Sequence, residues 1–357
     1  LDKFIYFIKK ILRGIIMRNH EVTERKPLLN PDGTLREPGW SRRLVQIYDR
    51  NEIKKRKTRI KEWDYYYVIS NKHNIAVCFT ISDLGYLEME SVSFLDFNKA
   101  WEHTQPVLAP FPMGKLHLPP TSEQGDVKVK NAKLALEYLV KDNKRMIRCD
   151  YPSFDGGKGL KVNLTLDNPD EDTMVIATPW AEDKKAFYYN QKINCMPASG
   201  KVEYDGKIYE FEPATDFGGL DWGRGVWTYN NYWYWGSGSG VVDGHRFGFN
   251  IGYGFGDTSA ASENVIFYDG VAHKFDDVTF NISDNFTDPW TFISSDGRFE
   301  MDFVPIIDRC DYTSVGIIVT DQHQVFGRMS GKAVLDDGTV IEIKDFLCFA
   351  EKVHNKY

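Results

Sequence analysis

The segment from Asp216 to Asp277 decides most of what this chain can become. Trp, Tyr and Gly fill it at a density that Val- and Ile-rich core strands do not show. Asp221, Trp222, Arg224, Trp227, Tyr229, Trp233 and Trp235 crowd into fifteen residues. Side chains alternate with period two along a strand. Thr228–Val241 therefore puts Tyr229, Asn231, Trp233, Trp235, Ser237 and Ser239 on one face, with Tyr232, Tyr234, Gly236, Gly238 and Gly240 on the other. Asp243-Gly244 is a two-residue hairpin signal. Beyond it, His245, Phe247, Phe249, Ile251, Tyr253 and Phe255 share one face, and Arg246, Gly248, Asn250, Gly252, Gly254 and Gly256 the other. A face of glycines either makes room for a ligand or lets another backbone come close, and both readings stand. The pattern predicts a hollow that glycine keeps open and aromatic rings line, with Asp221 and Arg224 at its rim.

The rest of the chain extends this pattern. Strand-like runs begin at Glu62–Ile69, Asn74–Ser82 and Tyr86–Phe97, and resume at Val127–Tyr138, Lys144–Asp150, Leu160–Asp167 and Thr173–Pro179. Ala132–Val140 also reads as a short helix, since Ala, Leu and Glu favour one. The Pro-rich run from Trp101 to Gly125 reads as a long connection, and Asn190–Gly200 as polar and turn-like. Lys201–Phe211 is a hairpin turning at Asp205-Gly206, and strands continue from Asn264 to Glu351, with a turn at Asp337-Gly338. No βαβ alternation appears, so the fold class is all-β: antiparallel barrels or strongly curved sheets packed together. A chain of 357 residues suits two such units. The expected division is an extension over 1–28, a first β domain over 29–200 and a second over 201–357.

Residues 1–18 are the one strongly helical piece, with Phe4, Ile5, Ile8, Ile11, Leu12, Ile15 and Ile16 at helical spacing beside Lys3, Lys9, Lys10 and Arg13. They read either as an amphipathic helix for contact with an anionic membrane surface or as an extension upstream of a start at Met17. A net charge of -7, with basic runs only local, argues against a nucleic-acid partner. Five scattered cysteines with no CxxC pair read as a reducing, cytoplasmic setting, at most peripheral to the membrane. The eight histidines never fall at HxxxH or HxH spacing, so local sequence shows no metal site.

Several long motifs in one order carry a resemblance. LDWGRGVW (220–227), RFGFNIGYGFGDTSAASENVIFYDG (246–270), NQKINCMPASG (190–200), RIKEWDYYY (59–67) and PDGTLREPGWS (31–41) resemble domain of unknown function family 2804, from about Leu29 to the C-terminus. More distantly, the layout is similar to calycin-like proteins with two lipocalin-like barrels: the carotenoid hydratase, tocopherol cyclase and AttH-type families. That likeness rests on Ala198-Ser199-Gly200-Lys201-Val202, Tyr204-Asp205-Gly206 and Leu220-Asp221-Trp222-Gly223. It implies two lipocalin-like β domains, a small lipophilic ligand and no cofactor. No histidine stands in that region, a departure from the hydratases.

Asp221 is the acid/base candidate, since a carboxylate beside Trp222 is open to desolvation. Arg224 either pairs with it or binds an anionic substrate group, and the same two residues also make a salt bridge bracing a barrel mouth. His245, at a predicted turn, is either solvated or a third catalytic group. Trp222, Trp227, Tyr229, Trp233, Trp235, Asn250, Tyr253, Asp257 and Asn264 are the candidate ligand contacts. Asp257, Ser259, Glu263 and Asn264 form a polar loop that caps a barrel or binds a cation. No nucleophile elbow, Walker loop or dinucleotide fingerprint occurs. Three classes stay open: a cofactor-free enzyme on a lipophilic substrate, a lipid-binding protein without activity, and a carbohydrate binder.

Overall fold

Period-two patterning governs the described part of the chain, residues 19–357, and strands make up 61% of those residues. In this computed structural model the helix expected over 1–18 lies outside the described residues. Among them the helical pieces are 3-10 turns at Arg50–Glu52, Lys57–Arg59 and Phe154–Gly157. No described helix is long and apolar enough to cross a membrane. Two of the Asp-Gly dipeptides turn as expected: Asp205 (φ 50°) with Gly206 (φ 72°), and Asp243 (φ 50°) with Gly244 (φ 86°), both take the left-handed pair of a type I′ hairpin.

The strands form two curled antiparallel half-barrels. The first sheet runs in the order Trp101–Pro110, Leu87–Asp96, Ile75–Asp83, Ile60–Ser70, Asp216–Val226, Phe187–Tyr204, Leu160–Asp167, Lys144–Tyr151, Ala135–Lys141, Val127–Lys130. The second runs Val271–Lys274, Val265–Tyr268, His245–Tyr253, Asn230–Val242, Val340–Lys356, Ile318–Val334, Phe299–Val315, Trp290–Ser294, Val278–Asn281. Asp216–Val226 pairs on both sides within the first sheet. Sheet membership therefore changes at 227–229, well beyond the 200/201 boundary expected from sequence.

Three local expectations are corrected. Ala135–Lys141 is a strand, because its cross-strand partners Lys144–Asp150 override weak helix propensity. Trp101–Pro110 is also a strand, and its prolines are tolerated because it forms an edge of the sheet. The polar run Asn190–Gly200 lies inside the strand Phe187–Tyr204. A bulge there separates Ile193 from Met196 in register, with Cys195 at φ 58°. Asn194 uses the bulge to reach the second sheet, where its amide donates to Ser237 Oγ (2.8 Å) and the Phe249 carbonyl (3.1 Å).

The hollow expected of strands 228–256 is filled. A Cβ on Gly238 would stand 2.7 Å from a ring carbon of Phe346 and 2.8 Å from one of Phe249. One on Gly240 would stand 2.9 Å from the Phe346 ring. These glycines let rings lie flat against the strand, and Phe299, Phe303, Phe292 and Trp290 complete a dry core. Gly248 and Gly252, on the opposite face, give way to groups from outside the strand: Cys195 Sγ and Glu263 Oε1 lie 2.4 and 2.3 Å from where their Cβ atoms would be.

Candidate functional site

The strand Asp216–Val226 crosses the middle of the first sheet, and its two faces serve different compartments. On the face toward the second sheet stand Gly219, Asp221, Gly223 and Gly225. A Cβ at Gly219 would meet the Tyr67 ring at 2.4 Å, and one at Gly223 the Trp63 ring at 2.1 Å. Neighbouring rings thus lie over bare backbone, and from Gly219 to Gly225 Asp221 is the one side chain on this face. Trp222 and Arg224 point the other way, into the first half-barrel. There Arg224 donates to Asp64 Oδ1 (2.9 Å) and to the carbonyls of Trp63 and Pro119, with its guanidinium 4.3 Å from the Trp222 ring centroid. The Asp221–Arg224 pair expected from sequence therefore does not form. A spacing of three residues puts the two on opposite sides of a strand.

Asp221 pairs instead with a residue the sequence reading left out. Lys192, 2% exposed, sits directly across the ladder, and its Nζ lies 2.9 Å from Asp221 Oδ1. Asn190 Nδ2 donates to the same oxygen at 2.5 Å. The ammonium lies 4.0 Å from the Trp235 ring centroid of the facing sheet. Trp235 Nε1 donates to Asn250 Oδ1 (2.7 Å), and Asn250 Nδ2 to the Glu263 carbonyl (2.9 Å). Tyr188, Trp227, Trp233 and Phe255 close the cluster in ring-to-ring contact: Tyr188 stacks on Phe255 with centroids 4.8 Å apart, and Trp227 meets Trp233 edge-on at 5.0 Å.

The electrostatics of the cluster are unbalanced. Glu263 is buried, and neither carboxylate oxygen has a hydrogen-bond donor. Burial pushes its pKa up to about 7; Asp221 adds to the rise, while Lys192 and Asn250 act against it without completing a bond. Glu351 is also raised by burial, although Trp233 Nε1 and Gln324 Nε2 donate to its two oxygens, each at 2.8 Å. Lys192 acts on all three carboxyl groups but contacts only Asp221, while Lys274 also acts on Glu263 and Arg309 on Glu351. Asp221 takes the ammonium, and Glu263 is left holding a proton below about pH 7. Burial also raises the Tyr188 hydroxyl, with Glu263 the next cause.

The structure places the remaining predicted residues as follows. Trp227, Trp233, Trp235 and Asn250 belong to the cluster. Asn264 braces the loop that carries Glu263, accepting from Gly252 N (2.8 Å) and donating to the Asp276 carbonyl (2.7 Å). Asp257 turns the same loop, accepting from Ser259 N at 3.1 Å. Tyr253 stacks on Tyr234 at the second half-barrel's side. Tyr229 is exposed and bonds the Ile317 carbonyl. His245 sits on its hairpin, hydrogen-bonded to Asp269 at 2.7 Å and half exposed. Sequence reasoning missed Lys192, Asn190 and Tyr188. Their signal was an alternation, Tyr188, Asn190, Lys192, that runs into the Asn190–Gly200 segment read as a turn. Elsewhere, Asp308, Cys310 and His323 bring one donor atom each within 4.8 Å of the others, a set able to hold a metal. Cys310 and His323 meet across a strand ladder, which local spacing cannot reveal.

Two curled half-barrels packed together, with ionisable groups buried between them, define a β protein of the double-lipocalin type. The chain belongs to domain of unknown function family 2804, whose model matches residues 19–357. In fold it is similar to a putative AttH from Nitrosomonas europaea (TM-score 0.51, 12% identity, 84% of this chain and 92% of that one). It is also similar to CghA with Sch210972 (TM-score 0.54, 11% identity, 92% and 97%). CghA alone gives a TM-score of 0.53 at 10% identity, over 93% and 97% of the two chains. At these identities the likeness is one of fold. No curated protein matches the chain.

Proposed function

We propose that this chain binds a small lipophilic molecule between its two sheets and, as a cofactor-free hydratase, isomerase or cyclase, moves protons on it through Glu263 and Asp221. The supporting observation is Glu263, a buried carboxyl with no donor on either oxygen, beside the Lys192–Asp221 ion pair. A polar group left so costs stability. A carboxyl raised toward neutral pH beside a fixed charge pair is suited to proton transfer. In a hydration, Glu263 gives its proton to one carbon of a double bond. Water adds its oxygen to the other carbon and passes a proton to Asp221, which Lys192 and Asn190 hold in place. In an isomerisation, Asp221 removes a proton at one carbon and Glu263 supplies one at another. Trp227, Trp233, Trp235 and Phe255 form the apolar wall. The cluster is enclosed, so entry requires movement of the loop from 254 to 264, which carries both Phe255 and Glu263. That a similar chain, CghA, is recorded with Sch210972 is in keeping with ligand binding by this fold.

The test begins with protein purified from its own host, extracted with organic solvent and weighed by native mass spectrometry. A lipophilic molecule is expected to co-purify. With it in hand, Asp221→Asn should keep its affinity and lose about 10²–10⁴-fold in turnover. Binding by the wild type without turnover would leave a lipid-binding protein. Binding on a sugar array without lipid binding would make the aromatic wall a carbohydrate platform. If Asp221→Asn only fails to fold, Asp221 is a brace.

A further inference from the structure

A different compartment holds a second unbalanced charge. Along Lys144–Tyr151 the inward positions are Arg145, Ile147, Cys149 and Tyr151, so an arginine occupies the first core position of an otherwise apolar face. Arg145 is 2% exposed. A guanidinium carries five N–H donors and stays charged. Here Nη1 reaches the Tyr66 hydroxyl at 3.3 Å and Nη2 the Ser122 hydroxyl at 3.5 Å, both at or beyond the long end of the range. Nε is buried and has no acceptor. Among the described residues no carboxylate pairs with it. The contrast is Arg224 in the same half-barrel, which holds Asp64 and two neighbouring backbone carbonyls. A buried cation without an anion is among the costliest groups a fold retains.

Arg145 also lines a cavity of about 360 Å³ at the end of the first half-barrel, a volume at the small end of ligand pockets. Its floor is polar and fixed: Ser122 bonds Gln191 Oε1, and Gln191 Nε2 donates to Thr173 Oγ1 at 3.0 Å. Carboxylates at the rim are already engaged, Asp170 with Arg43, Glu171 with Arg246 and Asp142 with Lys141, while Glu123 stands exposed. None of these neutralises the floor. The Nε–Nη2 edge, with Nε unpartnered and Nη2 held only by Ser122 at 3.5 Å, is the planar fork that takes the two oxygens of a carboxylate side-on.

We propose that this cavity is a binding site for a small carboxylate, anchored by the Nε–Nη2 edge of Arg145 and separate from the cluster between the sheets. The test uses the full chain and thermal unfolding, titrated with sodium acetate, succinate or citrate, against sodium chloride at matched ionic strength and against phosphate and sulfate. The expected result is a saturable rise in melting temperature with at least one carboxylate and none with chloride. Arg145→Met should remove that response while matching or exceeding the unliganded stability of the wild type, since a buried charge has been replaced by an apolar chain. Arg145→Lys keeps the charge and loses the fork, and should raise the half-saturating concentration at least tenfold. It also serves if the Met variant does not fold. No carboxylate response in the wild type, an unchanged response in Arg145→Met or Arg145→Lys, or a response to phosphate or sulfate alone would each overturn the proposal.

Discussion

The two half-barrels share one architecture and fill it in opposite ways. The second is packed with Phe247, Phe249, Phe292, Phe299, Phe303 and Phe346, and its interior holds no paired charges among the described residues. The first buries Glu62, Asp64, Glu90, Arg145, Gln191 and Arg224 inside the same kind of curled sheet. Rings that touch on all sides give rigidity and ask nothing of water. Buried charges give a fold little net stability, because desolvation offsets most of their attraction. The difference separates an aromatic interior from a polar one, and the proposed site lies between them, taking Asp221 and Lys192 from the outer face of the first sheet and Trp235, Asn250 and the Glu263 loop from the second.

The largest effect expected comes from setting the two interiors against each other. Phe299→Ala should lose about 3–5 kcal/mol in denaturant unfolding through the cavity it leaves. Arg224→Met alone should lose a similar 3–5 kcal/mol or so by stranding Asp64. Adding Asp64→Leu should recover most of the second loss, whereas no partner substitution removes the first. Failure of that recovery would mean the polar interior is as tightly tied to packing as the aromatic one.

Glu263 sharpens the comparison at the boundary between the halves. Burial raises its folded pKa from 4.5 to about 7, so the folded state holds a proton that the unfolded chain releases. Its contribution is fully present below pH 4.5 and fades as pH rises through about 7. The loss amounts to something on the order of 3 kcal/mol. Unfolding measured across this range should show the slope in the wild type and not in Glu263→Gln. Parallel curves would place Glu263 in contact with water.

A smaller effect tests the glycines. A Cβ at Gly223 would press on the Trp63 ring at 2.1 Å, so Gly223→Ala should cost about 1–3 kcal/mol. Gly244→Ala meets nothing within 4 Å and its cost should come from its backbone angle, φ 86°, alone. Comparing the two by calorimetry separates packing from conformation. The smallest effect is His245→Ala. Exposed on its hairpin, it should change stability by no more than about 0.5 kcal/mol and leave ligand binding untouched.

Much of the fold was legible. Alternation and Asp-Gly turns yielded an all-β chain, and the two faces of His245–Tyr253 are those the pattern predicts. What misled was the meaning of glycine: Gly238 and Gly240 read equally as room for a ligand or for Phe346, because both need the same missing Cβ. The site was half legible. Asp221 could be singled out from its place beside Trp222, but Lys192 lay in a polar run that burial turned into a central strand. Its partnership spans a ladder whose register no local pattern discloses. Arg224 was paired wrongly although period two alone sends it to the other face from Asp221.

The most direct test is a crystal structure of the protein with the molecule extracted from it. A polar atom of that molecule is expected within hydrogen-bonding distance of the Glu263 or Asp221 carboxyl, its apolar part against Trp227, Trp233 and Trp235, and the 254–264 loop displaced. A ligand seated among the phenylalanines of the second half-barrel, with Glu263 still sealed and unpartnered, would contradict the account.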